Sequence, residues 1–212
     1  MSSATGVQTV AAVPGAQSSV AAVALETIAH ELRQPLSAIE SIAYYLSLVL
    51  PRDGGPAREQ AGRLQELVEQ SNWILTCALQ LADATPLAPQ AVDLETLVRQ
   101  VADSTIRLEL AGRLPLVRLD PGRGRALLEN LLLLFRQVAS DLHPVRIRTA
   151  MSDGGVLLTM ATAVPGHRSE AGLGPGCGLS IESARRVVVL HGGAFRIHVD
   201  AVSGVGVEVM LP

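Results

Sequence analysis

A histidine and a glutamate stand side by side at positions 30 and 31 of the segment "ETIAHELRQPLSAIESIAYYL", which runs from Glu26 to Leu46. On a helix this pair is the beginning of the H-E-x-x-H zinc motif, which needs a second histidine one turn later. Position 34 holds Gln34, so one of the two helical zinc ligands is missing and we predict no metal site. A histidine beside a glutamate is also common on an ordinary solvated surface, so position alone leaves the role of His30 open.

His30 is predicted to lie on the water-facing side of its helix. Apolar residues recur there at steps of three and four and form one stripe, namely Leu25, Ile28, Leu32, Leu36, Ile39, Ala43, Leu46 and Leu50. At about 100° per residue, His30 falls roughly 160° from the centre of that stripe, and Gln34 falls on the same outer face. Pro35 removes a helical N–H donor one turn beyond His30 and predicts a bend there.

A second helix follows after the turn segment "PRDGGP" (Pro51–Pro56), with its own apolar stripe between Leu64 and Leu81. One two-helix hairpin has too small a core to be stable, so we predict that two copies form a four-helix bundle, which makes the protein a homodimer. The hairpin is assigned to residues 20–83, after a disordered tail at residues 1–19.

The remainder of the chain has a mixed pattern. The Pro-rich segment at residues 84–92 is a predicted linker. Residues 93–212 alternate between short helices and strands, including a helix that starts near Pro121 and two hairpins of strands. The predicted fold class is therefore α + α/β: a helical hairpin followed by a sandwich in which a sheet carries helices on one face.

Composition excludes several classes of partner. The net charge of −3 gives no basic surplus for nucleic acid or for an anionic membrane. No uncharged apolar run reaches the ~18 residues that a membrane-spanning helix needs, and the N-terminus lacks the basic region of a secretory signal. We therefore expect a cytoplasmic protein. Cys77 and Cys177 have no metal-binding spacing and are interpreted as free thiols.

The segment "HELRQPLSAI" resembles the H-box of sensor histidine kinases, and it lies on the first helix of a hairpin as in that family. This resemblance implies that His30 is the phospho-acceptor, because a neutral imidazole nitrogen is a good nucleophile near pH 7. It further implies that Glu31 accepts or orients the ring proton, and that Gln34 lies near the incoming reactive group.

The second half resembles the ATP-binding module of the same family. "LDPGRGRALLENLLLLFRQVA" is similar to the N-box, "GCGLSIESARRVVVLHGG" to the second glycine box with its helix, and "SGVGVEVMLP" to the terminal strand. The resemblance covers residues 20–212 and implies a histidine-kinase-type ATPase sandwich.

Several positions depart from the family pattern. The second N-box asparagine, which contacts Mg²⁺ and phosphate in the family, falls on Leu134, and leucine offers no oxygen to a hard cation. The first glycine box, D-x-G-x-G, reads Thr162 to Gly166 and lacks the aspartate that recognises adenine. Seven residues separate Gly166 from Gly174, so we predict that the lid over ATP is missing.

The resemblance and its departures together predict a histidine phosphotransferase. Such a protein moves phosphoryl groups between response regulator aspartates through His30, without ATP-dependent autophosphorylation. Its expected partners are a response regulator receiver domain and an upstream phosphorylated regulator or hybrid kinase, and Mg²⁺ would arrive with the regulator. Asn130, Gly176 and Gly178 are remnants of the ATP site, with either a structural role or residual phosphate binding.

Two alternatives remain open at this stage. One is a pseudokinase that only binds and sequesters a regulator or a kinase. The other is a divergent but active sensor histidine kinase. A phosphatase activity through Glu31 and Gln34 could accompany the phosphotransferase.

Overall fold

The computed structural model describes residues 14–51, 55–140, 142–164, 173, 176–200 and 202–212, with side chains from residue 25 onward. The segment in which the ATP lid is predicted to be missing lies almost entirely in residues 165–172, outside the described part of the chain, as do the last two positions of the first glycine box, Pro165 and Gly166. None of the described helices combines the length and the apolar character that a bilayer crossing requires.

The N-terminal part is the predicted helical hairpin, made of α1 (Pro14–Val49) and α2 (Gly55–Ala82). Helix α1 begins inside the predicted tail, because a proline is well placed in a first turn and the residues after it include many alanines. It continues through Pro35 as one helix. The hairpin is held by small residues, with Ala29, Ala43 and Ala61 almost fully buried.

A strip of large aliphatic side chains on the hairpin remains uncovered in the single chain. Ile28 is 53% exposed and Ile42 is 60% exposed, and Leu32, Ile39 and Leu67 are exposed as well. These α1 residues belong to or adjoin the apolar stripe that the sequence predicts, so α2 covers only part of that stripe. Exposed apolar patches of this kind typically mark contact surfaces.

The C-terminal part is the predicted α/β sandwich. Its elements are β1 (Gln90–Val92), α3 (Leu94–Val101), β2 (Arg107–Glu109), β3 (Val117–Leu119), α4 (Pro121–Val138), β4 (Arg146–Ser152), β5 (Gly155–Thr162), α5 (Cys177–Leu190), β6 (Ala194–Asp200) and β7 (Gly204–Leu211). Strand β1 occupies the last three residues of the predicted linker and pairs antiparallel with β3. The main sheet has the order β2-β4-β5-β7-β6, with only the β2–β4 pair parallel.

One face of this sheet packs against the helices. Alternate residues of β4, β5 and β7, such as Ile147, Leu158 and Val207, are buried and share a core with Leu131 of α4 and Ile181 of α5. This alternation is the period-two pattern expected when one face of a sheet is covered. The predicted architecture, a helical hairpin followed by an α/β sandwich whose sheet carries helices on one face, is confirmed.

Side-chain caps fix where the sandwich helices begin. Asp93 caps α3 and Asp120 caps α4, and Pro121 occupies the first turn of α4 as predicted. His191 ties the end of α5 to this cap: its Nδ1 is 2.7 Å from the Val187 carbonyl oxygen, and its Nε2 accepts the Asp120 N–H at 3.0 Å. Both ring nitrogens of His191 are thus engaged in the fold, with the proton on Nδ1.

Glu95 is a buried carboxylate that stabilises the start of the sandwich. It is 7% exposed and accepts hydrogen bonds from the Thr149 hydroxyl at 2.6 Å and the Gly112 N–H at 3.0 Å. The Thr149 hydrogen bond above all, together with that from Gly112, holds the pKa of Glu95 below its ordinary value of 4.5.

We therefore predict an acid-dependent contribution from Glu95 to stability. Because its pKa is lower in the folded than in the unfolded chain, the contribution is complete above pH 4.5 and is lost as the pH falls through the folded value. Denaturant unfolding between pH 7 and pH 3 should show wild type and Glu95→Gln differing at neutral pH and converging in acid. Parallel curves at all pH values would contradict this account.

Cys77 and Cys177 are free, as the sequence predicts, and both are buried. Burial raises the pKa of the Cys77 thiol to about 11 and also raises the pKa of Cys177. Both are therefore thiols and poor nucleophiles in the folded protein.

Candidate functional site

His30 lies on the exposed outer face of α1, as the sequence predicts. The structure brings Gln34 to it: the Gln34 amide nitrogen is 3.4 Å from His30 Nε2. In this orientation the amide donates to Nε2, which leaves the ring proton on Nδ1. Glu31 is also exposed, on the flank of the same face, and its carboxylate makes no hydrogen bond with the described part of the chain.

Arg33 connects the His30 segment of α1 to the second helix, and no sequence pattern above identifies it. Its Nη2 donates to the Thr76 hydroxyl at 3.3 Å, and that hydroxyl donates in turn to the Asn72 carbonyl at 2.9 Å. Arg33 is half-buried. On the helix, Arg33 falls between the apolar stripe and the His30 face, and this spacing could have indicated a contact with the neighbouring helix.

The outer face of α1 continues from His30 to an aromatic and aliphatic patch near the hairpin turn. Tyr44, Tyr45 and Leu48 are 57%, 61% and 64% exposed. Leu48 lies five helical turns from His30 on the same line, a separation of about 27 Å. The two tyrosines are therefore surface residues, whereas Trp73 on α2 is a core residue at 5% exposure.

The first N-box remnant, Asn130, lies in the interior of the protein. It is 3% exposed, and its side-chain amide donates to Gln80 of α2 and, at 3.4 Å, to the Ser183 hydroxyl of α5. Leu134, at the position of the second N-box asparagine, is fully buried within the sandwich core.

The glycine-box remnants also lie in a packed environment. Gly176 begins α5 with a left-handed φ of 83°, and a Cβ placed on it would lie 2.8 Å from Ile74 Cγ1 and 3.2 Å from the Trp73 ring. Helix α2 therefore covers this glycine turn. Gly178 by contrast faces open space. Thr162 is 1% exposed, and its hydroxyl donates to the His143 carbonyl at 2.7 Å.

Comparison with known proteins identifies relatives of one kind, although no family model matches the chain. The sensor histidine kinase ZraS of Escherichia coli K12 is 29% identical over 190 residues, which are 80% of this chain and 41% of the relative. ZraS of Klebsiella oxytoca is 26% identical over 203 residues, 84% of this chain and 42% of the relative. The chain spans about two fifths of the length of these curated relatives.

Solved structures of histidine kinases share the fold. Full-length ShkA in complex with AMPPNP superposes with a TM-score of 0.61 at 25% identity, over 89% of this chain and 45% of that one. ThkA in complex with the response regulator protein TrrA superposes with a TM-score of 0.60 at 16% identity, over 88% of this chain and 60% of that one. The predicted resemblance to sensor histidine kinases is confirmed in sequence and in fold.

Proposed function

We propose that this chain is a histidine phosphotransferase, which accepts a phosphoryl group on His30 from the phosphorylated aspartate of one response regulator and passes it to the aspartate of another. In each step an N–P bond at His30 forms or breaks while the aspartyl O–P bond breaks or forms, so no nucleotide is consumed. The observation that carries the proposal is that His30 is exposed, while three residues at the nucleotide positions, Asn130, Leu134 and Gly176, are engaged in internal packing.

The exposed face around His30 suits transfer from another protein. A neutral imidazole attacks through a nitrogen lone pair, and in our proposal Nε2 is that nucleophile once Gln34 turns aside. Gln34 then contacts the incoming phosphoryl group, and Glu31 orients or accepts the ring proton. Arg33, three residues beyond His30, holds this part of α1 against α2 through its hydrogen bond to Thr76.

The residues at the nucleotide positions do not fit a magnesium nucleotide. Leu134 has no oxygen for the metal, and Asn130 already uses its amide within the interior. The Gly176 turn, where phosphates would meet the start of a helix, is covered by Trp73 and Ile74. This supports a source of phosphoryl other than bound ATP.

A receiver domain is the proposed partner, either from an upstream phosphorylated regulator or hybrid kinase or from a downstream regulator. The solved complex of ThkA with a response regulator supports a partner of this class. We propose that the receiver brings Mg²⁺ and contacts the outer face of α1 between His30 and the patch of Tyr44, Tyr45 and Leu48. We also propose that the uncovered aliphatic strip of the hairpin pairs two copies into a homodimer.

The proposal is tested by offering two phosphoryl donors separately. Purified protein is mixed with labelled ATP and Mg²⁺, and in parallel with labelled phosphorylated receiver domains from several response regulators. We expect label from a receiver alone. Label from ATP alone would instead support a divergent active sensor kinase, and receiver binding without transfer would support a sequestering pseudokinase.

A further inference from the structure

A buried polar cluster joins the end of α2 to the sandwich. The side-chain oxygen of Gln80, Oε1, accepts hydrogen bonds from the side-chain amide of Asn130 and, at 2.8 Å, from the Ser183 hydroxyl. The Ser180 hydroxyl donates to the backbone carbonyl of Asn130 at 3.2 Å. The Cys77 thiol lies 3.9 Å from the side-chain oxygen of Asn130, Oδ1. Three helices, α2, α4 and α5, thus meet around one asparagine side chain.

Apolar and charged contacts surround this cluster. Trp73 and Cys77 of α2 belong to the same buried core as the sandwich helices. Arg186 of α5 donates to the Leu81 and Asp83 carbonyls just beyond the cluster, and Arg123 of α4 pairs with the Asp83 carboxylate at 2.9 Å. The last turns of α2 are therefore packed into the sandwich instead of projecting from it.

The cluster lies beside the acceptor end of the hairpin. The Arg33–Thr76 hydrogen bond fixes the relative height of the two helices. Because α1 and α2 run antiparallel, the residues after Thr76 lie beside the residues before Arg33. Gln80, four residues beyond Thr76, is therefore at about the height of His30.

We propose that Gln80, Asn130 and Ser183 form a clasp that holds the hairpin and the sandwich as one body and positions the His30 end of the hairpin. Asn130, whose sequence position resembles a nucleotide ligand, acts instead as a positioning residue through Gln80 and α2. In this proposal the sandwich keeps one orientation relative to α1 and does not rotate toward His30.

Apolar packing alone does not require polar side chains at Gln80, Asn130 and Ser183, whereas the proposed clasp does. Trp73 and Cys77 of α2 already belong to the shared apolar core, and three more apolar residues would pack there without a hydrogen-bonding requirement. A satisfied buried network fixes one relative orientation, because any shift leaves a buried donor or acceptor unpaired. The amide of Asn130 meets this requirement with donors toward Gln80 and Ser183.

Hydrogen exchange on the full chain tests the clasp independently of phosphotransfer. The variants are Asn130→Ala and Gln80→Ala, with Glu129→Ala as the matched control, since Glu129 is an exposed neighbour on α4 that pairs with Arg125. We expect both clasp variants to exchange amides of residues 73–82 and 27–36 about tenfold faster, with β5 and β7 unchanged. Wild-type exchange in both hairpin segments would overturn the proposal, as would equal acceleration in the strands.

A conservative substitution separates the clasp from a general packing defect. Gln80→Glu keeps an acceptor for both donors, so we expect its exchange to return close to the wild-type pattern, and a result like that of Gln80→Ala would contradict the clasp. Gln80 is only half-buried, so these two variants remain informative if Asn130→Ala does not fold.

The effect on transfer rests on the proposed function. With a labelled phosphorylated receiver, we expect Gln80→Ala to lower the transfer rate about tenfold with unchanged receiver affinity, and Glu129→Ala to match wild type. Unchanged transfer in Gln80→Ala would refute the positioning role. If wild type itself takes no label, the proposed function fails, and the exchange pattern alone decides whether the clasp exists.

Discussion

We expect His30→Ala to lose the proposed phosphoryl transfer from a phosphorylated receiver by at least about 10³-fold in rate, because no other described side chain on the outer face of α1 can form the N–P bond. The fold should be unaffected, since His30 is exposed and surface substitutions usually change stability by about 0.5 kcal/mol or less. The measurement is the appearance of label on the protein over time, with circular dichroism as a check on folding.

The matched control for this prediction is His198→Ala. His198 is also exposed, but it lies on β6, far along the chain from the hairpin. We expect this variant to be labelled at the wild-type rate, and the label on wild type to be lost in acid and retained in base, as for a phosphorus–nitrogen bond. Label that persists on His30→Ala would assign the acceptor to another residue.

Leu134→Asn, the substitution that restores the N-box pattern, should not restore ATP binding and should instead destabilise the protein by about 3–5 kcal/mol. Leu134 is fully buried among the core residues of the sandwich. Asparagine at this position removes apolar contacts, leaves a cavity and buries a side-chain amide without hydrogen-bond partners. Denaturant unfolding gives the change in stability, and calorimetric titration with ATP and Mg²⁺ tests binding.

Leu133, the residue before Leu134, provides the control for this substitution. Leu133 is 38% exposed on the same helix, so Leu133→Asn should cost less than about 1 kcal/mol. Because both variants replace leucine with asparagine, a large difference between their free energies of unfolding would come from the burial of Leu134. If Leu134→Asn were as stable as wild type and bound ATP, the nucleotide site would be intact apart from one residue, and the phosphotransferase proposal would lose its main support.

Much of the fold could be predicted because its signals are local. The apolar stripes of α1 and α2 follow from helical spacing, and Pro121 marks the start of α4. The exposure of His30 also follows from spacing alone. The start of α1 was missed, since small residues without an apolar stripe give no amphipathic signal although they favour helix.

The state of the nucleotide positions could not be predicted, because it depends on contacts between distant parts of the chain. Asn130 meets Gln80 and Ser183 across separations of 50 and 53 residues. The cover that Trp73 provides over Gly176 is equally non-local. Sequence comparison identified which nucleotide ligands were absent, but only the structure reveals what the remaining ones contact.

The order of strands in the main sheet bears on how the chain reaches its folded state. Strands β4 and β5, and likewise β6 and β7, are neighbours in sequence, whereas the β5–β7 ladder pairs Val156 with Leu211. A local strand hairpin forms in about 1–10 μs, but joining β5 to β7 must close a long loop that includes α5. We therefore expect closure of the β5–β7 ladder to limit the rate at which the sandwich refolds.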